Sequence, residues 1–155
     1  MNDNDPRDID WAPLVPEFVV SDIAASRRFY TEGLGFMVLF DRPEEGFAYL
    51  NLDRVQIMLV QNRDDLTVVK ILGPQTPPFG VGSHLQIAAP DVDAMVDRLA
   101  ERGHAILKGP TDVWRRVRDL ECGQREIWLR DPDGYLLRFH ADLGYRSPGD
   151  EIAEI

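Results

Sequence analysis

The sequence predicts an α+β protein built from two βαβββ modules, residues 13–62 and 83–141, that curl side by side into a half-barrel around a cleft. Three observations carry this. First, Asp22 and Asp91 each follow a short apolar strand and each open an amphipathic helix, an offset of 91 − 22 = 69. The same offset pairs Phe18 with Ile87, Ile23 with Val92, Tyr30 with Leu99 and Glu32 with Glu101. Second, three strand-like runs follow each helix. Third, the chain closes on QREIWLRDPDGYLLRFH, Gln124 to His140, two β-rich runs around an Asp-Pro-Asp-Gly turn. Internal duplication is the strongest constraint a sequence places on architecture. One such unit leaves a sheet face uncovered, and two units can share a cleft.

The elements follow in order. Residues 1–12 read as an arm, with Trp11 able to pin its end. Pro13 to Val20 is the first strand. Asp22 accepts from the free N–H groups of the helix that follows, which buries Ile23, Phe29 and Tyr30. Gly33 and Gly35 end it. Phe36 to Asp41, Phe47 to Leu52 and Val55 to Gln61 are strands, separated by turns at Pro43 to Gly46 and Asp53-Arg54. Residues 63–82 read as a linker rich in Gly and Pro, with a short strand expected at Thr67 to Leu72 because Thr, Val and Ile favour pleated backbone. His84 to Ala89 is a strand, and the second helix runs from Asp91 to Arg102. Ala105 to Leu107 begins the next strand; Thr111 to Val117 and Leu120 to Leu129 supply more. In the closing hairpin Pro132 fixes φ and Gly134 accepts positive φ. Alternation then puts Tyr135, Leu137 and Phe139 on one face and Leu136, Arg138 and His140 on the other. Residues 144–155 read as a tail.

The bulk composition narrows the function. With 44% hydrophobic and 28% charged residues, the chain is an ordinary globular protein of one domain's length. A net charge of −10 disfavours nucleic acid and anionic membranes and favours a cationic ligand. One cysteine, Cys122, excludes an intrachain disulfide and a cysteine-based zinc site. The polar start carries no leader pattern, and no apolar run approaches the ~20 residues that cross a bilayer. A cytoplasmic protein is expected. No P-loop, dinucleotide-binding glycine pattern or GxSxG is present.

The stretches SDIAASRRFYTEGLGF, PDVDAMVDRLAERG and GQREIWLRDPDGYLLRF together resemble the vicinal oxygen chelate superfamily of glyoxalases, extradiol dioxygenases, fosfomycin-modifying enzymes and bleomycin-resistance proteins. The resemblance spans Leu14 to Ala141. It implies a glyoxalase-like cleft in which the family's enzymes hold a divalent metal through His and Glu on the first and last strand of each module. By register those positions fall on Val15, Met58, His84 and Arg138. Valine offers no lone pair, a thioether suits hard divalent ions poorly, and guanidinium repels a cation. The resemblance is therefore nearest to the metal-free bleomycin-resistance branch. It implies a binding protein with no cofactor and no catalytic residue, one that sequesters a drug or metabolite, as in antibiotic resistance. It also implies a homodimer.

The expected ligand-binding residues are Glu17, Gln56, Met58, His84, Gln86, Trp114, Arg138 and His140. Arg138 is expected to pair with Glu17 or with a ligand carboxylate. The competing reading is a metal-dependent glyoxalase-type lyase or isomerase, or an extradiol-type dioxygenase, with His84, His140 and Glu17 gathered around one ion. A third is a structural or regulatory module whose cleft is vestigial, which a cleft filled by Phe or Leu would favour.

Overall fold

A computed structural model describes residues 5–150. Eight strands form two four-stranded sheets. In the first module β1 (Glu17–Val20), β2 (Met37–Arg42), β3 (Phe47–Leu52) and β4 (Val55–Gln61) are ordered β1-β4-β3-β2. In the second, β5 (His84–Ala88), β6 (Lys108–Val117), β7 (Leu120–Arg130) and β8 (Leu136–Arg146) are ordered β5-β8-β7-β6. The first strand of each module pairs parallel with the last, and the remaining pairs are antiparallel. The duplication is visible in the register: Glu17 faces Met58 and Gln86 faces Arg138, again an offset of 86 − 17 = 69.

Each module's helix starts where its aspartate sits. Asp22 accepts from the N–H groups of Ala24 and Ala25 at 3.0 and 3.1 Å and opens α1 (Ile23–Arg28), which continues as a π turn over Phe29–Gly33. Asp91 accepts from Ala94 at 2.9 Å and opens α3 (Val92–Glu101). The helix-side faces of both sheets and both helices bury one core that includes Tyr30, Leu34, Leu50, Ile57, Met95, Leu99, Ile127, Leu137 and Phe139.

Four expectations about elements change, the smallest being that the strand expected from Ala105 begins at Lys108. Thr67–Leu72 is a short helix, α2, and not a strand. A strand needs a neighbour for its backbone, whereas a helical turn closes its hydrogen bonds locally; here only Val69 is buried and Gly73 caps the end. The first strand begins at Glu17, four residues later than expected. Pro13 and Pro16 have no N–H to give a ladder, although the Pro16 carbonyl accepts from Met58 N–H at 2.9 Å. The last strand runs on to Arg146, into the expected tail, because β7 starts early enough to pair Glu121 with Arg146. An ion pair between Arg146 Nε and Glu121 Oε2 at 2.6 Å closes that end. Residues 151–155 of that tail, and 1–4 of the arm, lie outside the described residues.

The closing hairpin joins the modules. Tyr135 stacks on Phe18 with ring centroids 4.2 Å apart, and its hydroxyl donates to the Val19 carbonyl at 3.0 Å. Asp133 accepts from Ser21 N–H at 3.1 Å, and Asp131 accepts from the Tyr30 hydroxyl at 2.9 Å. Gly134 has φ +91°, and a Cβ there would lie 2.9 Å from the Pro78 Cα. Gly134→Ala is accordingly expected to cost about 2 kcal/mol, read as a lower urea midpoint at an unchanged slope.

Candidate functional site

The face of each sheet that carries no helix is where side chains remain free for a ligand. On the second module alternation and pairing bring together His84, Gln86 and Ala88 from β5, Leu136, Arg138 and His140 from β8, Gln124, Glu126 and Trp128 from β7, and Arg115 from β6. Glu126 is the hub. It is 2% exposed, yet it is a carboxylate in the middle of a strand. Its oxygens accept from Arg115 Nη1 and Nη2 at 2.5 and 3.2 Å and from Trp128 Nε1 at 3.3 Å, and Arg138 Nη1 stands 3.6 Å away. Burial alone would raise its pKa. The Arg115 hydrogen bond and charge, helped by Trp128 and Arg138, more than reverse this and hold the carboxyl below its ordinary value.

Arg138 is anchored from several sides. Its Nη2 donates to Gln86 Oε1, and its Cζ lies 5.0 Å from the Trp128 ring centroid. Its Nε is buried with no hydrogen-bond partner among the described residues. Buried donors nearly always find an acceptor, so this one, like Arg98 Nε and Trp114 Nε1, is left with unmet hydrogen-bonding capacity. The His84 ring sits 4.9 Å from Trp128, and His140 Nδ1 is 3.2 Å from Gln124 Nε2.

Of the eight residues expected from sequence, His84, Gln86, Arg138 and His140 share this face. Gln56 and Met58 lie on the corresponding face of the first module, where Gln56 is 5% exposed and bonded to Tyr49 and to the N-terminal arm. Glu17 is solvent-exposed, and its expected partner Arg138 is matched instead with Glu126 and Gln86. The free energy favours this, because Glu126 is already desolvated in the adjacent strand while Glu17 keeps its hydration. Trp114 lies on the other side of β6 from Arg115. It shares that side with Asp112, whose partner Arg125 also reaches Asp93 on α3. Its ring packs on Gly123, where a Cβ would meet it at 2.7 Å, and under Arg146 at 4.3 Å. Glu126, Arg115 and Trp128 are the additions. Their signal was a glutamate alternating with apolar residues in a strand that otherwise reads as buried.

The donor set does not fit the divalent metal that the resemblance implies. Met58, His84 and Arg138 offer one imidazole, a thioether and a cation. The nearest carboxylate, Glu126, is already taken by guanidinium and indole groups. Among the described residues no three His, Cys, Asp or Glu side chains are placed to hold a metal, and His84, His140 and Glu17 do not converge.

Comparison with known proteins agrees with the fold. A virulence protein of Salmonella typhimurium is 26% identical with a TM-score of 0.58, the alignment covering 85% of this chain and 97% of that one. A glyoxalase/dioxygenase of Nostoc punctiforme is 25% identical with a TM-score of 0.59, covering 85% and 95%. A glyoxalase/bleomycin resistance protein/dioxygenase of Nocardioides is 24% identical with a TM-score of 0.57, covering 94% and 93%. No curated protein matches the chain. No helix among the described residues is long and apolar enough to cross a membrane. The family model of the glyoxalase/bleomycin resistance protein/dioxygenase superfamily matches residues 14–139, and the chain, with its two βαβββ modules, belongs to that superfamily.

Proposed function

We propose that this member of the superfamily is a metal-independent small-molecule binding protein that sequesters a drug or metabolite against the helix-free face of its second module. The observation that carries the reading is the Glu126–Arg115–Arg138 network. It stands where the resemblance places a metal, and it puts a guanidinium at a position that needs a lone pair. The face is mixed, as small-molecule sites are: aromatic area on Trp128 and His84, with a few directional polar groups. Around Glu126 two guanidiniums stand against one carboxylate, and the Asp142 carboxylate lies 3.5 Å from His140 Nδ1 on the same face. A ligand with a planar body and a hydrogen-bond acceptor suits it, the acceptor meeting Arg138 Nε. The protein is also proposed to be a homodimer with no nucleic-acid or membrane partner. Val117, Leu120, Leu143 and Tyr145 expose apolar area along the outer end of β6, β7 and β8, and a monomer mass by light scattering would reject the dimer.

The test is a titration with bleomycin-type drugs and aromatic carboxylates followed by tryptophan fluorescence. A saturable change is expected that persists in EDTA and weakens about tenfold or more in Arg138→Ala, the effect of losing a charge-assisted hydrogen bond of roughly 1.5–3 kcal/mol. Stoichiometric nickel, zinc, manganese or iron that survives dialysis and is lost in His84→Ala would overturn the reading in favour of a metal-dependent enzyme.

A further inference from the structure

On the first module the corresponding face carries an occupant from its own chain. The N-terminal arm crosses it. The Trp11 ring stands edge-on to Tyr49 and Phe40, with centroids 5.3 and 6.0 Å away. Beneath lies an aromatic shelf, Phe47, Tyr49 and Val60, with Phe40 and Met58 packed against it. This cluster is separate from the main core. Gln56 fixes the arm's backbone: its Oε1 accepts from Ala12 N–H at 2.8 Å, and its Nε2 donates to the Asp10 carbonyl at 2.8 Å. The Tyr49 hydroxyl donates to the same Oε1 at 2.8 Å.

We propose that the arm is a displaceable self-ligand, and that the shelf beneath it binds an aromatic ring joined to an amide, the chemistry that Trp11 and its flanking peptide groups present. Three features point there. The hold is light, because Trp11 is 49% exposed and the sheet's own core does not include it. The anchor is specific, because a carboxamide as buried as Gln56 must keep both donor and acceptor satisfied. When the arm leaves, Gln56 keeps only the Tyr49 hydroxyl on Oε1 and the longer 3.5 Å contact from Nε2 to Asn51 Oδ1, so a group that offers an N–H and a C=O together restores the two bonds the arm made. There is also room: a cavity of about 780 Å³ lies between the arm, which forms one wall through Asp5, Asp8 and Asp10, and Leu39, Val55 and Gln56 of the sheet, and reaches across to Ala88 on the second module. On this proposal the arm over the first module competes with a ligand and does not make the cleft vestigial.

This does not rest on the reading of the second module, and its test separates the two. The probe is N-acetyltryptophanamide, titrated calorimetrically against the full chain and its Trp11→Ala variant. A shelf that is mostly occupied by its own arm lowers apparent affinity by the fraction of time it stands open, so the variant is expected to bind about tenfold tighter than the wild type. Adding Gln56→Ala to Trp11→Ala should remove most of that gain, whereas Arg138→Ala should leave it in place. Equal affinity of wild type and Trp11→Ala, or a gain that survives Gln56→Ala, overturns the proposal. So does loss of binding in Arg138→Ala, which would put the probe on the other module. Failure of Trp11→Ala to fold also overturns it, since the arm would then be part of the structure it covers.

Discussion

Glu126→Ala is expected to destabilise the protein by about 2–3 kcal/mol and to abolish ligand binding on the second module. Breaking a fully buried ion pair by removing one partner typically costs about 3–5 kcal/mol, because the other charge is left desolvated and unmatched. Here the Glu126 side chain is 3% exposed and that of Arg138 is 17% exposed, but Arg115 is 46% exposed and can turn to water. A cost at or just below the lower end of that range follows. Without the carboxylate, Arg138 keeps only Gln86 and the Trp128 face, and its guanidinium repels that of Arg115. Glu126→Gln keeps the shape and one acceptor, and should cost roughly 1 kcal/mol less. The pH dependence has a definite sign. The carboxyl is held below its ordinary value in the native state, so its contribution is present above the unfolded pKa of 4.5 and is lost as pH falls through the depressed native value. Urea denaturation of wild type and Glu126→Gln from pH 3 to 7 should show the gap narrowing towards acid. A Glu126→Ala protein as stable as wild type at pH 7 would make the network surface decoration and remove the physical basis of the proposed site.

Much of the fold is legible because its signals are local. Asp22 and Asp91 cap their helices through N–H groups two and three residues on. The Asp53-Arg54 turn leaves no slack, so β3 and β4 begin and end where the alternation of Phe47 to Gln61 says they must. The 69-residue repeat holds through the first strand and helix of each module and relates Glu17 to Gln86, whereas their partners Met58 and Arg138 lie 138 − 58 = 80 residues apart because the second module's strands and turns are longer. What is less legible depends on partners far away in the chain. Nothing near Thr67 says that no strand edge will be available to it. The Glu17–Arg138 pair is reasonable as long as Glu126 is treated as one more residue of a hairpin. Pairing β7 with both β6 and β8 is what sets that carboxylate between Arg115 and Arg138. The arm is the same case: Trp11 finds Tyr49 and Gln56 across some forty residues, and its own neighbours are aspartates that read as solvated chain.

Asp131 carries the other large expectation, and it runs in the opposite direction with pH. It opens the hairpin turn, is 5% exposed and touches both modules. Burial pushes its carboxyl from 3.8 up to about 6, against the hydrogen bonds from the Tyr30 hydroxyl and from the N–H groups of Tyr135 and Asp133, and the nearby Asp133 charge adds to the rise. A group whose native pKa is raised binds its proton more tightly folded than unfolded. Its stabilisation is therefore full below pH 3.8 and is lost as pH climbs through about 6. At 1.36 kcal/mol per pKa unit the whole swing is about 3 kcal/mol. Asp131→Asn keeps the acceptor for both backbone N–H groups, since Asp133 and Tyr135 share the same oxygen at 2.9 Å, and it offers an amide to the Tyr30 oxygen. The variant should lose ground to wild type at pH 4 and gain it at pH 7, with the difference between them shifting by up to about 3 kcal/mol. Parallel stability curves from pH 4 to 7 would mean that the carboxylate is solvated in the native state, and that the modules are not closed over the hairpin as tightly as Tyr30, Phe18 and Tyr135 require. Tyr30→Phe separates burial from hydrogen bonding. It removes one donor to the ionised form without opening the site, so the native pKa should rise further and the loss of stability with pH should extend above pH 6.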